Sequence, residues 1–417
     1  MAPERVRAEG YGPGVAANSD PRRLRRLAIL LALGFATAAG AGTAASADTG
    51  RVYPPDTALS YVPTPKVPRP DYRKPITDPT FDTTVERITG SELGLGRVVR
   101  HVYSKLEPWN SDGSLYLLGY PTTAPLLDGE TFKPLRTFDS PGYAVWSNTD
   151  PHKIFGVHAN RFVSVNPLSD ATTLIHRFSG LHDLTIGRGE GNLSNDDRYV
   201  ALTGADDEHR THLIVYDLVA DRSVGRRVLH GSLDNAMVSQ SGTYIVLNWN
   251  QNGAARNHGI EVFDRQLHFQ RQIATNGEHG DVGYAMDGDE VWVAMSPSRT
   301  ASVEAYPLDG GQTIEVIGTD PGIGGGHISC RNLDRPGWCY LSDDSPAGKY
   351  QGNDQVWAQR IETNGEVEVF AHLHHSYAGY VHEPQAVPNR DGTRVAWASD
   401  WDGGGKAPVY DYVAGAE

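Results

Sequence analysis

From Phe81 to the C-terminus, short runs of Val, Ile, Leu, Tyr and Trp are separated by turns rich in Asp, Asn and Gly, with almost no helical periodicity. Runs of this length between such turns predict strands, so the region reads as all-β. The pattern also repeats. A tight turn followed by an apolar strand occurs at WNSDGSLYLLG, WSNTDPHKIFGV, LSNDDRYVALTG, VSQSGTYIVLNW, YAMDGDEVWVAM, NLDRPGWCYLS and PNRDGTRVAWAS. The turn residues Asp112, Asp150, Asp197, Ser241, Asp287, Asp334 and Asp391 are spaced by 38, 47, 44, 46, 47 and 57 residues. This is the period of a four-stranded blade, and seven units predict a seven-bladed β-propeller over residues 81–417. A β-sandwich is the other all-β solution and fits seven regular units less well.

Most units continue into a third strand, a turn and a fourth strand, as in HLIVYDLVADRSVGRRV and DQVWAQRIETNGEVEVF. The last unit lacks the fourth strand after KAPVYDYV. The segment TTVERITG, Thr83 to Gly90, precedes the first unit and is expected to supply it. The ring would then close by pairing the two ends of the chain, which removes the sheet edges an open array exposes.

The N-terminal segment has a different character. Arg22, Arg23, Arg25 and Arg26 precede the apolar run LAILLALGFATAAGA, which leads to Ala45-Ser46-Ala47. Residues 1–47 therefore read as a secretory signal peptide, passed by the Sec or twin-arginine route, and predict an extracellular protein without a membrane span after cleavage. Residues 48–80 are proline-rich and predict an extended leader along the domain surface. The full chain carries a net charge of −14, and the first 47 residues hold +3 of it, leaving about −17 for the rest. That balance excludes a nucleic-acid binder.

Both cysteines lie in HISCRNLDRPGWCYLS, His327 to Ser342. A hairpin turning around Leu333 to Pro336 sets Cys330 opposite Cys339, and in an exported protein the expectation is a disulfide. A zinc site would need His327, which strand alternation puts on the opposite face from Cys330.

In a propeller, the loops that open each innermost strand share one face with those joining its second and third strands. His279, His327 and His382 each stand near the start of an innermost strand in three successive blades, so they should converge on the channel. Neutral imidazole suits a divalent metal such as Mn or Zn, with Ca a further candidate, and Glu383 or Gln385 could complete a mixed nitrogen and oxygen set. Arg256 would serve as a carboxylate clamp beside a histidine. The same face collects His158, His182 and Arg188 as substrate contacts. Trp249, Tyr377, Tyr380 and Trp401 are expected to be exposed. DWDGGG, Asp400 to Gly405, lacks the later glutamate of a calcium loop. GRGEGN, Gly187 to Asn192, is not a phosphate loop because no helix follows, and its glycines are expected to let strands pack near the axis.

With these residues placed, the chain resembles the seven-bladed polysaccharide lyases, especially the oligogalacturonate lyase family and more loosely the propeller ulvan lyases. The former resemblance implies Arg256 as the active-site arginine, His279 in GEHGDVGYAMDGDEV as the base, and His327 in GGGHIS as the first metal ligand. It also maps a Gln/His cluster onto VHEPQAVPNRDG, where this chain has fewer histidines than that family. The ulvan-lyase resemblance would instead pair His158 with His182. Either implies elimination on an anionic, uronate-containing glycan or oligosaccharide. The competing expectations are a non-catalytic propeller that binds glycan or protein through the same loops, and a metal-dependent hydrolase; in the lyase and binding readings alike Trp249, Tyr377, Tyr380 and Trp401 would stack on sugar rings.

Overall fold

The computed structural model describes residues 50–119, 123–277, 279–296, 302–320, 322–345 and 350–416. The signal-peptide expectation for residues 1–47 falls outside them. Among the described residues, seven sheets, antiparallel but for one short parallel pairing in blade 7, follow one another in chain order as the blades of a seven-bladed β-propeller. Blade 3 is representative. Its strands are His182–Ile186, Tyr199–Ala205, Thr211–Asp217 and Arg222–Val228, paired in that order from the axis outwards.

Burial explains why the sequence reads as continuous apolar runs. Each blade packs on a neighbour at both faces, so both sides of a middle strand are covered. Tyr199–Ala205 and Thr211–Asp217 are buried along almost their whole length, while outer strands such as Thr172–Arg177 are largely exposed. The repeated turn has a local cause as well. Asp112 Oδ1 accepts hydrogen bonds from the Ser114 amide at 3.0 Å and hydroxyl at 2.6 Å, and Asp391 does the same for Thr393 at 3.0 and 2.6 Å. A short acidic side chain thus folds the backbone into these two bends.

The ring is closed by Thr84–Arg87, which pairs antiparallel with Val409–Gly415 in blade 7, Thr84 facing Gly415 and Arg87 facing Tyr412. The proline-rich leader contributes outermost strands on two blades. Thr57 pairs with Val367 at the edge of blade 6, and Ile76–Thr77 pairs with the closing strand. Asp78 then anchors the leader to blade 6, where it accepts from the His372 amide at 2.9 Å and lies 3.2 Å from its Nδ1.

Cys330 and Cys339 form a disulfide across the hairpin of blade 6, with Cα atoms 4.3 Å apart. The neighbouring pair, Ser329 with Tyr340, fixes the register. This removes both thiols from any metal site.

Candidate active site

His279 is the first residue of the innermost strand of blade 5, His279–Tyr284, and His327 is the second of blade 6, Gly326–Ser329. Their equivalent positions in adjacent blades bring the two rings into a stack, centroids 4.8 Å apart and planes 28° from parallel. His279 Nδ1 lies 3.2 Å from the Gly326 carbonyl, which orients the ring. His279 is exposed, whereas His327 is 1% exposed and is covered edge-on by Tyr103, 5.3 Å away.

Two carboxylates flank the buried imidazole. Asp344, from the loop after the second strand of blade 6, approaches Nδ1 at 3.3 Å, and Glu383, before the innermost segment of blade 7, approaches Nε2 at 3.8 Å. One ligand atom from each of these three residues can be chosen within 4.8 Å of the others. Burial is the main reason the His327 pKa falls to about 4; the Asp344 contact opposes the shift, and His279 and Lys105 add to it. The ring is thus neutral at pH 7, the form that donates a lone pair to a metal. Burial also raises the Glu383 pKa above the usual carboxylate value. Neither ring nitrogen of His327 has a partner in good hydrogen-bond geometry, the two carboxylates standing at 3.3 and 3.8 Å. Buried polar atoms in that state are costly, and a cation among these three donors would satisfy one of them, so the donor set fits a divalent ion.

His382 and Gln385, expected as further ligands, are placed differently. Gln385 accepts from Arg100 Nη2 at 2.7 Å through Oε1 and donates to Glu383 Oε2 at 3.2 Å through Nε2. Both ends of its amide are engaged, one of them on Glu383. His382 is buried in the short 3-10 turn Tyr380–His382 and falls outside the three-residue group. Asp344, not expected from the sequence, stands beside His327 in that group. Nothing in the sequence marks it, because its arrival beside His327 depends on how the loop leaves its strand.

The neighbouring wall of the mouth comes from GRGEGN. After Ile186 the innermost strand of blade 3 leaves its pairing, turns through Gly187–Gly189, and resumes where Leu193 bridges Val200. Gly187 has a φ of +53°, and a Cβ there would meet the Ala236 carbonyl at 2.2 Å. Only glycine fits this close approach of two inner strands. The bulge presents Glu190 to Lys105, whose Nζ donates to Glu190 Oε2 at 2.7 Å. Asn235 Nδ2 donates to Glu190 Oε2 at 3.1 Å and to Asp234 Oδ2 at 2.9 Å. Burial first, and Glu190 second, raise the Asp234 pKa. Lys105, which is buried, was missed by sequence reasoning and carries no motif that would have found it.

The remaining expectations divide. Arg256 is not at the channel. Its Nε donates to Glu261 Oε1 at 2.6 Å and its guanidinium lies 3.6 Å above the Phe269 ring, both in its own blade. Trp249 is 1% exposed and donates to Glu261 Oε2 at 2.9 Å, so it is a core residue and no sugar platform. Trp401 is 9% exposed, stacked between His374 and Tyr412 with centroids at 4.2 and 4.8 Å. Both indoles were misread for one reason: a tryptophan in a loop sequence can still fold back onto its own blade. His158 ends the second strand of blade 2. His182, partly exposed, lies 2.8 Å from Asp183 and 3.0 Å from the Asp206 carbonyl. The contacts of His182 are thus with its own blade and do not include His158. Arg188 is exposed on the GRGEGN bulge. Tyr377 and Tyr380 are 65% and 64% exposed and are available for stacking.

Fold and site together define a class, a seven-bladed β-propeller with a histidine and carboxylate group at the strand-opening face of its channel. No protein-family model matches the chain, and no curated protein sequence does. Among solved structures, the chain is similar to an oligogalacturonate lyase from Vibrio parahaemolyticus at 13% identity and a TM-score of 0.58, over 82% of this chain and 96% of that one. It is also similar to an oligogalacturonate lyase in complex with manganese at 13% identity and a TM-score of 0.59, over 88% and 98% of the two chains. At this identity the likeness is one of fold. Among the described residues, no helix is long and apolar enough to cross a membrane.

Proposed function

We propose that this propeller cleaves uronate-containing oligosaccharides by β-elimination, with His279 as the base. The observation that carries the reading is the pair of stacked histidines, one exposed and one buried, with Asp344 and Glu383 against the buried ring. The proton next to a carboxylate is too weakly acidic to remove unless charge is neutralised as it develops. A divalent ion held by His327, Asp344 and Glu383 would supply that neutralisation when bound, manganese being the ion in one similar structure. Lys105, paired with Glu190, and Arg100, held on Gln385, are protein cations near this group, and they stand where the sequence put Arg256. His279, exposed and oriented by the Gly326 carbonyl, takes the C5 proton. The C5–H electrons form the C4–C5 double bond, the C4–O bond breaks, and the leaving oxygen takes a proton from water at the open mouth. Residues 1–47 would direct the protein out of the cell.

Ultraviolet absorbance tests this directly. Mixing the protein with uronate oligosaccharides should give a rising signal from the conjugated double bond, lost with chelator. Silence across a panel of uronates, with a folded and manganese-loaded protein, would remove the elimination reading. The second reading, a glycan-binding platform, is favoured by the exposed rings of Tyr377 and Tyr380. It would give binding without the absorbance change.

A further inference from the structure

At the face opposite the histidines, where the innermost strands end, charged side chains close in on the channel. Arg331 stands two residues after the innermost strand of blade 6, Gly326–Ser329, and Arg390 two residues after that of blade 7, Val387–Pro388. With Glu107 of blade 1 and Asn148 of blade 2 they line a polar cavity of about 10 Å³, room for one water-sized body. Arg390 is held from outside it, Nε donating to Asp334 Oδ1 and Nη1 to the Asn148 carbonyl, both at 2.9 Å. Arg331 has no such support. It is 2% exposed, its Nε is buried without a hydrogen-bond partner, and among the described residues its guanidinium makes no hydrogen bond or ion pair. The carboxyl groups whose charges reach it are Asp281 and Glu107. Asp281 accepts instead from the amides of Val282 and Cys330, both at 2.8 Å. Burial pushes the Glu107 carboxyl well above the usual carboxylate range, towards the neutral acid, and its Oε1 is buried without a partner. A buried cation with no counter-charge in contact is costly, and an ion taken up by the cavity would remove that cost.

We propose that this cavity holds one monatomic anion of chloride size, in contact with the guanidinium groups of Arg331 and Arg390. The space is too small for phosphate, sulfate or the carboxylate of a sugar. A water molecule would satisfy the donors but leave the charge uncompensated. The anion would tie blades 6 and 7 to blades 1 and 2 at the strand-ending side of the channel, a structural role independent of the histidine site.

Bromide, an anomalous scatterer of similar size, is the probe. Crystals of the purified protein soaked in sodium bromide should give an anomalous peak between Arg331 and Arg390, and the absence of a peak there overturns the proposal. In solution, replacing sodium gluconate with sodium chloride at constant ionic strength should raise the melting temperature by a few degrees, following the binding curve of a single site. Glu107→Gln keeps the shape of the neutral acid and should retain the rise. Arg331→Met should lose it, and a rise that persists there would rule the site out. Should that variant fail to fold, Arg390→Gln changes a side chain that is 22% exposed and should need roughly tenfold more chloride for half the rise. An unchanged chloride dependence in Arg390→Gln counts equally against the proposal. A rise absent from the wild type that appears only in Glu107→Gln would show an ionised Glu107 to be the counter-charge, and the anion would be discarded.

Discussion

The exposed ring of His279 lies on the buried ring of His327 at 4.8 Å, so a solvent-facing imidazole rests on one that burial keeps neutral. Removing the exposed partner should leave the buried one in place. His279→Ala is expected to lower the elimination rate roughly 100- to 10,000-fold, as for loss of a general base. Its melting temperature should stay within the scatter of surface substitutions. A parallel fall in melting temperature would mean that the residue acts structurally.

Metal loading should register in stability. An ion that binds the folded chain at about 100 times its Kd stabilises it by about 2.7 kcal/mol. Thermal melts with and without manganese should show a rise of several degrees, absent in Glu383→Gln and Asp344→Asn. A rise that persists in both variants would place the ion elsewhere.

Arg256 and Trp249 both serve the buried carboxylate of Glu261. Arg256→Ala leaves one of its oxygens poorly satisfied, and a loss of about 1–3 kcal/mol in denaturant unfolding is expected with little change in elimination. A large loss of activity at unchanged stability would restore the clamp role expected from the sequence.

The pair Asp78 and His372 gives a pH signature. Burial alone would raise the Asp78 pKa, but the hydrogen bonds from the His372 ring and amide and from the Thr80 amide outweigh it, and the value is lowered. A depressed carboxyl pKa contributes stability that is full above the unfolded value of about 3.9 and is lost as pH falls through the folded value. Asp78→Asn should therefore cost about 1.5–3 kcal/mol at neutral pH, the worth of hydrogen bonds to a buried charged group. The gap to the wild type should narrow only below about pH 4. A gap that stays unchanged well below about pH 4 would show that the Asp78 carboxyl is not the group responsible.

The disulfide spans 9 residues of sequence, a short loop for which the chain-entropy account gives roughly 2–3 kcal/mol. Cys330→Ser with Cys339→Ser should lose about that much in urea unfolding. A Cβ on Gly283 would stand 2.8 Å from Cys330 Cβ, so Gly283→Ala should also destabilise.

The blade count, the closing strand and the hairpin disulfide were legible in the sequence because each follows from strand periodicity and turn chemistry. Periodicity also located His279 and His327, since both sit at the opening of an innermost strand. It could not give the path of a long loop. Arg256 and Trp249 flank the run NQNGAA, which the sequence leaves free to turn towards the channel, yet Glu261 and Phe269 draw both onto the blade. Asp344, Glu190 and Lys105 were invisible for a related reason. Each reaches the mouth from a different blade or connecting segment, and their proximity exists only once the ring is complete.

That completion has a bearing on how the protein forms. The amide of Asp411 donates to the Thr89 hydroxyl across 322 residues of sequence, beside the pairing of Thr84–Arg87 with Val409–Gly415. The first of these strands to leave the ribosome must wait for the last, and contacts of such sequence separation are slow to form. A chain interrupted before Val409 would hold blades with an unpaired edge and nothing to cover it. The closing strand thus acts as a check on completeness, joining the ring only when synthesis of the whole propeller has finished.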